Sequence, residues 1–152
     1  RNYLEKGLRN RLLKTVLASR SSTNIIIGNF VEAINDINNS ILLNEPNCKW
    51  YFPYMKAGLI YEKLQNYNIS ISMFSQAINS FKYFYPEESF EVLTYINRGC
   101  VRIKIGNLED AINDFELAFF KDKNCFKNYE EIINQIPEEI KKIISIHLNI
   151  KI

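Results

Sequence analysis

The sequence has few of the side chains from which catalytic and metal-binding sites are built. It contains one histidine, His147, and three cysteines, Cys48, Cys100 and Cys125, with no CxxC pair. A lone histidine without a carboxylate or cysteine at ligand spacing is more often structural than a metal ligand or a general base. Scattered cysteines of odd number fit a reduced intracellular protein better than a disulfide scaffold. We therefore predict that the chain is not an enzyme and binds neither a cofactor nor a metal ion.

Long apolar runs, phosphate-binding loops and clustered basic residues are missing as well. No apolar run approaches the roughly 18 residues of a membrane span, and neither GxxxxGK[ST] nor GxGxxG occurs. The net charge is only +2, and the first helices of the predicted units carry no stripe of Lys or Arg of the kind that phosphate contacts require. We expect neither a membrane partner nor a nucleic-acid partner.

An internal repeat is the main feature that the sequence does contain. The segment GNFVEAINDINNSI, which starts at Gly28, recurs as QNYNISISMFSQAI from Gln65 and as GNLEDAINDFELAF from Gly106. The intervals are 37 and 41 residues. A unit this short cannot bury its apolar face alone, so neighbouring units must stack on each other. Such a stack offers surfaces rather than the closed pocket of an enzyme.

The spacing within each unit predicts pairs of packed helices. Ser70, Phe74 and Ala77 lie four and three residues apart, which places them on one helical face. Small residues let a second helix approach closely, and the large residue fills the space between the helices. The predicted packing positions are Ala33, Ile37, Gly58, Tyr61, Ser70, Phe74, Ala77, Gly99, Ala111, Phe115 and Ala118.

These residues resemble the tetratricopeptide repeat. In YMKAGLIYEKLQNYNISISMFSQAI, the residues Tyr54, Gly58, Tyr61, Phe74 and Ala77 stand at aromatic, small and apolar signature positions of that family. YINRGCVRIKIGNLEDAINDFELAF matches nearly as well, whereas the first unit matches mainly in its second helix. The resemblance implies an all-α fold, a right-handed α-solenoid of antiparallel helix pairs.

We predict a single domain over residues 1–152 with atypical elements at both ends. Apolar residues at helical intervals near the C-terminus predict an amphipathic helix, and solenoids generally need such an element to cover the last unit. The predicted parts are a leading helix at 1–13, repeat 1 at 14–46, repeat 2 at 51–86, repeat 3 at 89–124 and a C-terminal capping helix at 129–152.

The resemblance also implies a concave groove lined by the first helix of each pair. Some family members hold acidic chaperone tails in a clamp of lysine, asparagine and arginine, but here Met55 and Leu59 replace two of those residues and only Asn97 fits. We therefore expect no chaperone-tail clamp. The candidate groove residues form an unusually apolar set: Phe52, Met55, Lys56, Leu59, Leu93, Ile96, Asn97, Cys100 and Lys104.

Two functional interpretations follow from this groove. The first is a scaffold that binds a peptide or helix of a protein partner, in the cytoplasm and within a cytoskeletal or other large assembly. The alternative is a homo-oligomer that associates through the apolar groove or the terminal helix. Because a large apolar patch is rarely left uncovered, we expect a partner segment or residues 129–152 to cover the groove.

Overall fold

The described part of the chain is built from α-helices and short turns. The structure is a computed structural model that describes residues 2–43, 50–83 and 86–152, and these residues contain no strand. The helices fall into two compact units, Arg1–Phe84 and Tyr85–Ile152. The predicted all-α class is confirmed.

The first unit contains two stacked helix pairs. Its helices are α1 (Asn2–Ile26), α2 (Phe30–Leu42), α3 (Tyr51–Lys63) and α4 (Tyr67–Ser80). α1 packs on α2 and α3 packs on α4, while α3 also contacts both α1 and α2. The helix pairs correspond to repeats 1 and 2, although the predicted end of repeat 1 at residue 46 lies outside the described residues. The predicted architecture of packed helix pairs is confirmed.

The second unit contains one long helix pair followed by three shorter helices. The pair is α5 (Glu88–Lys104) and α6 (Leu108–Lys121), and the shorter helices are α7 (Cys125–Asn128), α8 (Glu130–Ile133) and α9 (Glu138–Leu148). α5 packs along α6, and α6 is contacted by α7 and α9. The third repeat is therefore the pair α5–α6, and α9 lies against its second helix.

The same turn joins the two helices of each pair. Gly28 and Gly106 have φ angles of +78°, and Gln65 has a φ of 59°. This left-handed conformation costs glycine little, whereas glutamine adopts it at an energetic cost. In each turn the following asparagine donates its backbone N–H to a carbonyl five residues earlier: Asn29 to Asn24 at 2.7 Å, Asn66 to Tyr61 at 2.8 Å and Asn107 to Arg102 at 2.9 Å. The repeated sequence thus specifies a repeated helix end.

α1 runs without interruption through the predicted leading segment and into repeat 1. Its buried residues are Lys14, Ala18 and Ser21, all in its C-terminal half. No residue from Asn2 to Leu13 is buried. The leading segment at 1–13 is therefore, over its described residues, an extension of the first helix of repeat 1.

The C-terminal segment is more divided than the single helix predicted at 129–152. α8 ends at Ile133, and α9 begins only after Pro137. Proline disfavours the helical conformation in the residue that precedes it, here Ile136, and has no N–H to donate, which explains the break. Ile136 and Ile144 are nevertheless buried.

Candidate interaction surfaces

The side chains that could support chemistry are scattered. Within the described residues, no three His, Cys, Asp or Glu side chains lie close enough to hold a metal ion, and no helix is long and apolar enough to cross a membrane. Burial raises the pKa of the Cys125 thiol to about 11, which keeps it a protonated, weakly reactive thiol. His147 is exposed, with Nε2 4.0 Å from Oε2 of Glu116. Cys48 lies outside the described residues.

The predicted packing positions lie inside the two units rather than on their surfaces. Phe74 and Phe115 are fully buried and occupy the same position in repeats 2 and 3. Tyr61 is half-buried and packs against a cluster that includes Ile37 and Ala57. The remaining predicted packing positions are all buried: Ala33, Ile37, Gly58, Ser70, Ala77, Gly99, Ala111 and Ala118.

The most distinctive accessible surface in repeat 2 is on α3. Phe52, Lys56 and Leu59 are half-buried and are spaced four and three residues apart, so they share one helical face. The Trp50 ring stacks on the Phe52 ring with centroids 5.2 Å apart, and Lys56 Nζ lies 5.4 Å from the centroid of the Phe52 ring. We call these four residues the α3 face. It combines aromatic surface, an aliphatic side chain and a positive charge.

Met55, predicted to line the groove, is buried, and so is Ile96 at the same position of repeat 3. Ala18 holds this position in repeat 1 and belongs to the core cluster. The position therefore contributes packing in all three repeats. The sequence did not reveal this because burial depends on the helices that surround a residue, and a pattern confined to one repeat does not contain them.

The groove residues predicted on α5 differ in accessibility. Leu93 and Cys100 are half-buried, and Lys104 is exposed. Asn97 is buried, which leaves little of its amide available to a partner. Leu93 and Cys100 hold the positions in repeat 3 that Phe52 and Leu59 hold in repeat 2.

A buried charge cluster in repeat 3 escaped the sequence analysis. Asp114 is completely buried. It accepts hydrogen bonds from Arg98 Nη2 at 2.6 Å and Nε at 3.0 Å, and from Arg102 Nη1 at 2.7 Å. Both guanidinium groups lie largely inside the protein, with side chains 12% and 17% exposed. The cluster links α5 to α6.

Repeat 1 contains a related pair, and repeat 2 does not. Arg20 donates from Nε to Asp36 Oδ2 at 2.7 Å, and Asn24 donates to the same oxygen at 3.2 Å. The hydrogen bond to Asp36 stabilises the charged guanidinium and so raises the pKa of Arg20 above its usual value. In repeats 1 and 3 the arginine stands eight residues before the turn glycine and the aspartate stands eight residues after it. Repeat 2 has Ala57 and Met73 at these two positions. That shared spacing was the signal that could have revealed the pairs.

Two further apolar surfaces are exposed. One is on α1, where Leu4, Leu8, Leu12 and Val16 are accessible. The other lies on α6 and α9. Its exposed residues, which we call the α6–α9 patch, are Leu117, Phe120, Ile143 and Ile146. Glu116 and His147, on the same two helices, approach to 4.0 Å.

Comparison with known families supports the repeat assignment. The tetratricopeptide repeat matches residues 53–81 and 93–119. These segments cover most of the pair α3–α4 and most of the pair α5–α6. Comparison with curated protein sequences finds no match.

Proposed function

The chain is a tetratricopeptide repeat protein, and we propose that it is a scaffold that binds a peptide or helix of a protein partner. Repeats of this family generally mediate protein–protein interactions. The observation that carries the proposal is the α3 face, where Lys56 lies over the Phe52 ring and Trp50 stacks against it. Aromatic residues contribute most to binding energy at interfaces, since they bury large areas at low entropic cost.

The composition of the α3 face defines the partner segment that it fits. Phe52 and Leu59 provide apolar contacts seven residues apart, about two helical turns. Lys56 lies between them and provides the positive charge. A segment with apolar side chains two turns apart and a carboxylate between them would satisfy all three residues. Leu93, Cys100 and Lys104 form the corresponding surface on α5 of the second unit, and we propose them separately as partner contacts of repeat 3.

A peptide selection provides the test. A random peptide library is selected against the wild-type chain, and the affinities of the enriched peptides are measured by fluorescence anisotropy. The double variant Lys56→Glu with Leu59→Asp should weaken binding by about tenfold or more, because it reverses the charge and places a carboxylate on an apolar contact. Circular dichroism should show unchanged helicity, since both positions are partly exposed.

A matched control uses Lys82→Glu with Ile69→Asp, which makes the same two chemical changes at exposed positions of the first unit. This control should bind like the wild type. Enriched peptides that bind both double variants equally well would show that the working surface is elsewhere.

Self-association is the second candidate function, and the α6–α9 patch favours it. Phe120 and Ile146 are both exposed, and a closed dimer would bury them against a symmetry-related copy. Multi-angle light scattering should then report a dimer that Phe120→Lys with Ile146→Lys converts to a monomer. A monomeric wild type at all concentrations would remove this candidate.

A cytoplasmic location within a large assembly belongs to the same proposal. Among the described residues, neither Cys100 nor Cys125 forms a disulfide, which fits a reducing compartment. Imaging of the tagged protein would test the location, and a secreted or luminal signal would contradict it.

A further inference from the structure

Residues 4–16 of α1 carry a row of exposed apolar side chains. Leu4, Leu8, Leu12 and Val16 are between 58% and 82% exposed. Four-residue spacing places them one above the other along one side of the helix. We call these four residues the leucine stripe.

The leucine stripe faces away from the helices on which α1 packs. The buried residues of α1 are Lys14, Ala18 and Ser21, and α1 contacts α2 and α3. Since each residue turns the helix by about 100°, the mean direction of the leucine stripe lies roughly 130° from that of the buried residues. The stripe is therefore a second surface, separate from the α3 face, and the described residues of its unit leave it exposed.

Positive charge borders the leucine stripe on both sides. Arg9 follows Leu8 by one residue and Arg11 precedes Leu12 by one residue, so the two guanidinium groups lie on opposite edges of the stripe. Both arginines are exposed. Glu5 is the only acidic residue of α1. A partner with carboxylates at both edges would complement this arrangement.

Charge decides against a second copy of α1 as the occupant. Two leucine stripes pressed together would bring Arg9 and Arg11 of one chain near those of the other, and like charges across an interface are unfavourable. Polar side chains also interrupt the stripe, since Glu5, Thr15 and Ser19 point in the same direction as its apolar residues. Helices that lie in a membrane surface usually have a large continuous apolar face, so a partner helix fits this stripe better than a membrane does.

We propose that the leucine stripe docks an amphipathic helix whose own apolar stripe is flanked by carboxylates. Leu4, Leu8 and Leu12 would interdigitate with apolar residues of that helix, while Arg9 and Arg11 pair with acidic side chains on either side. This site goes beyond the binding surface proposed on α3 and uses none of its residues.

The test uses two synthetic peptides of stabilised helicity that share one leucine stripe. One has Glu at the flanking positions and the other has Lys. Fluorescence anisotropy should show binding of the Glu-flanked peptide to the wild-type chain, with an affinity that falls as salt is added. The variant Arg9→Glu with Arg11→Glu should bind this peptide about tenfold or more weakly and should bind the Lys-flanked peptide instead.

Two control variants show whether the loss of binding is specific to the leucine stripe. Lys127→Glu with Lys142→Glu makes the same change of net charge at exposed positions elsewhere and should not alter peptide binding. Lys56→Glu with Leu59→Asp on α3 should also leave it intact, so failure of the α3 proposal and failure of this one are distinguishable.

Three results would overturn the inference. The first is equal affinity of the wild type for both peptides. The second is dimerisation by light scattering that Leu8→Asp abolishes, which would identify a second copy as the occupant. The third is cosedimentation with anionic vesicles without binding to the Glu-flanked peptide, which would identify a membrane surface.

Discussion

The ring of Phe74 lies directly against the backbone of Gly58. A Cβ atom on Gly58 would come within 2.6 Å of Cε1 of that ring, closer than real Cβ contacts allow. Gly99 and Phe115 form the same contact in repeat 3, but there the nearest ring atom would be 3.0 Å away. In repeat 2 the Ser70 hydroxyl also donates to the Gly58 carbonyl at 2.7 Å, which holds α3 and α4 close together.

We expect the two glycines to differ in their tolerance of alanine. Gly58→Ala should lower the free energy of unfolding by about 1–2 kcal/mol, because overpacking against a buried ring exceeds the gain in helix propensity. Gly99→Ala should cost less than about 1 kcal/mol, since the clash is smaller and the propensity gain is the same. Urea denaturation of both variants provides the measurement. Equal losses at the two positions would contradict the difference in packing.

Replacing Phe74 or Phe115 with alanine should lower the free energy of unfolding more than replacing any other aromatic residue. Each is completely buried, so Phe74→Ala and Phe115→Ala should each leave a cavity that costs about 3–5 kcal/mol. Phe120 is exposed on α6, and Phe120→Ala should change stability by no more than about 0.5 kcal/mol. Thermal and urea unfolding of the three variants would test this order.

Asp114→Ala should lower the free energy of unfolding more than Asp36→Ala. Removing Asp114 leaves Arg98 and Arg102 largely buried without their carboxylate, and breaking a buried ion pair in this way costs about 3–5 kcal/mol. Removing Asp36 leaves Arg20, whose side chain is 60% exposed and can be solvated. We expect Asp36→Ala to cost clearly less than Asp114→Ala in urea unfolding. The opposite order would show that the exposure of the arginine does not determine how much stability is lost when its aspartate is removed.

Repeat 2 shows how the charge cluster of repeat 3 could be replaced. The triple variant Arg98→Ala, Arg102→Tyr and Asp114→Met introduces the residues that repeat 2 has at the same positions. Because well-packed apolar residues often replace buried ion pairs without loss, we expect its stability to lie within about 1 kcal/mol of the wild type or above it. A stability as low as that of Asp114→Ala would contradict this expectation.

Alkaline pH should destabilise the fold through Cys125. Its pKa is raised by burial from 9.0 to about 11, so between these values the unfolded chain releases a proton that the folded chain keeps. The free energy of unfolding should therefore fall as pH rises from about 9 to 11, by on the order of 2 kcal/mol from this group.

The control for this prediction is Cys125→Ala, which removes the thiol. Burial also raises the pKa of Tyr95 and of Tyr129, but both tyrosines are present in the variant and in the wild type. The difference in pH dependence between the two proteins, measured by urea unfolding from pH 8 to 11, reports Cys125 together with its smaller electrostatic effect on the pKa of Tyr129. Parallel pH profiles would contradict the prediction.

The helix pairs could be predicted from the sequence because their signals are local. Gly28, Gln65 and Gly106 stand at the same point of each unit, and all three adopt the left-handed turn. The spacing of apolar residues behind them specifies which face packs. The handedness of the superhelix stays a prediction, since it depends on how successive repeats are oriented.

The charge pairs and the groove could not be predicted in the same way. Asp36 and Asp114 lie among apolar packing residues, where a carboxylate is rarely buried unless it is paired. Their arginine partners are twelve or sixteen residues earlier in the chain. The burial of Met55 depends on the helices packed around α3 and not on the sequence of α3 itself. A pattern that treats each helix separately contains neither kind of information.

Repeats 1 and 3 join their two helices through an arginine–aspartate contact, whereas repeat 2 has apolar residues at those positions. This alternation has a consequence for the fidelity of folding. A chain made of similar helical hairpins can pair the first helix of one repeat with the second helix of another, and repeat proteins are prone to such misassembly. Here a wrong pairing of α5 with α4 would place the Arg98 guanidinium against Met73, and α3 with α6 would place Asp114 against Ala57. Each of these errors buries a charge without its partner, so exchange of helices between repeats 2 and 3 is penalised.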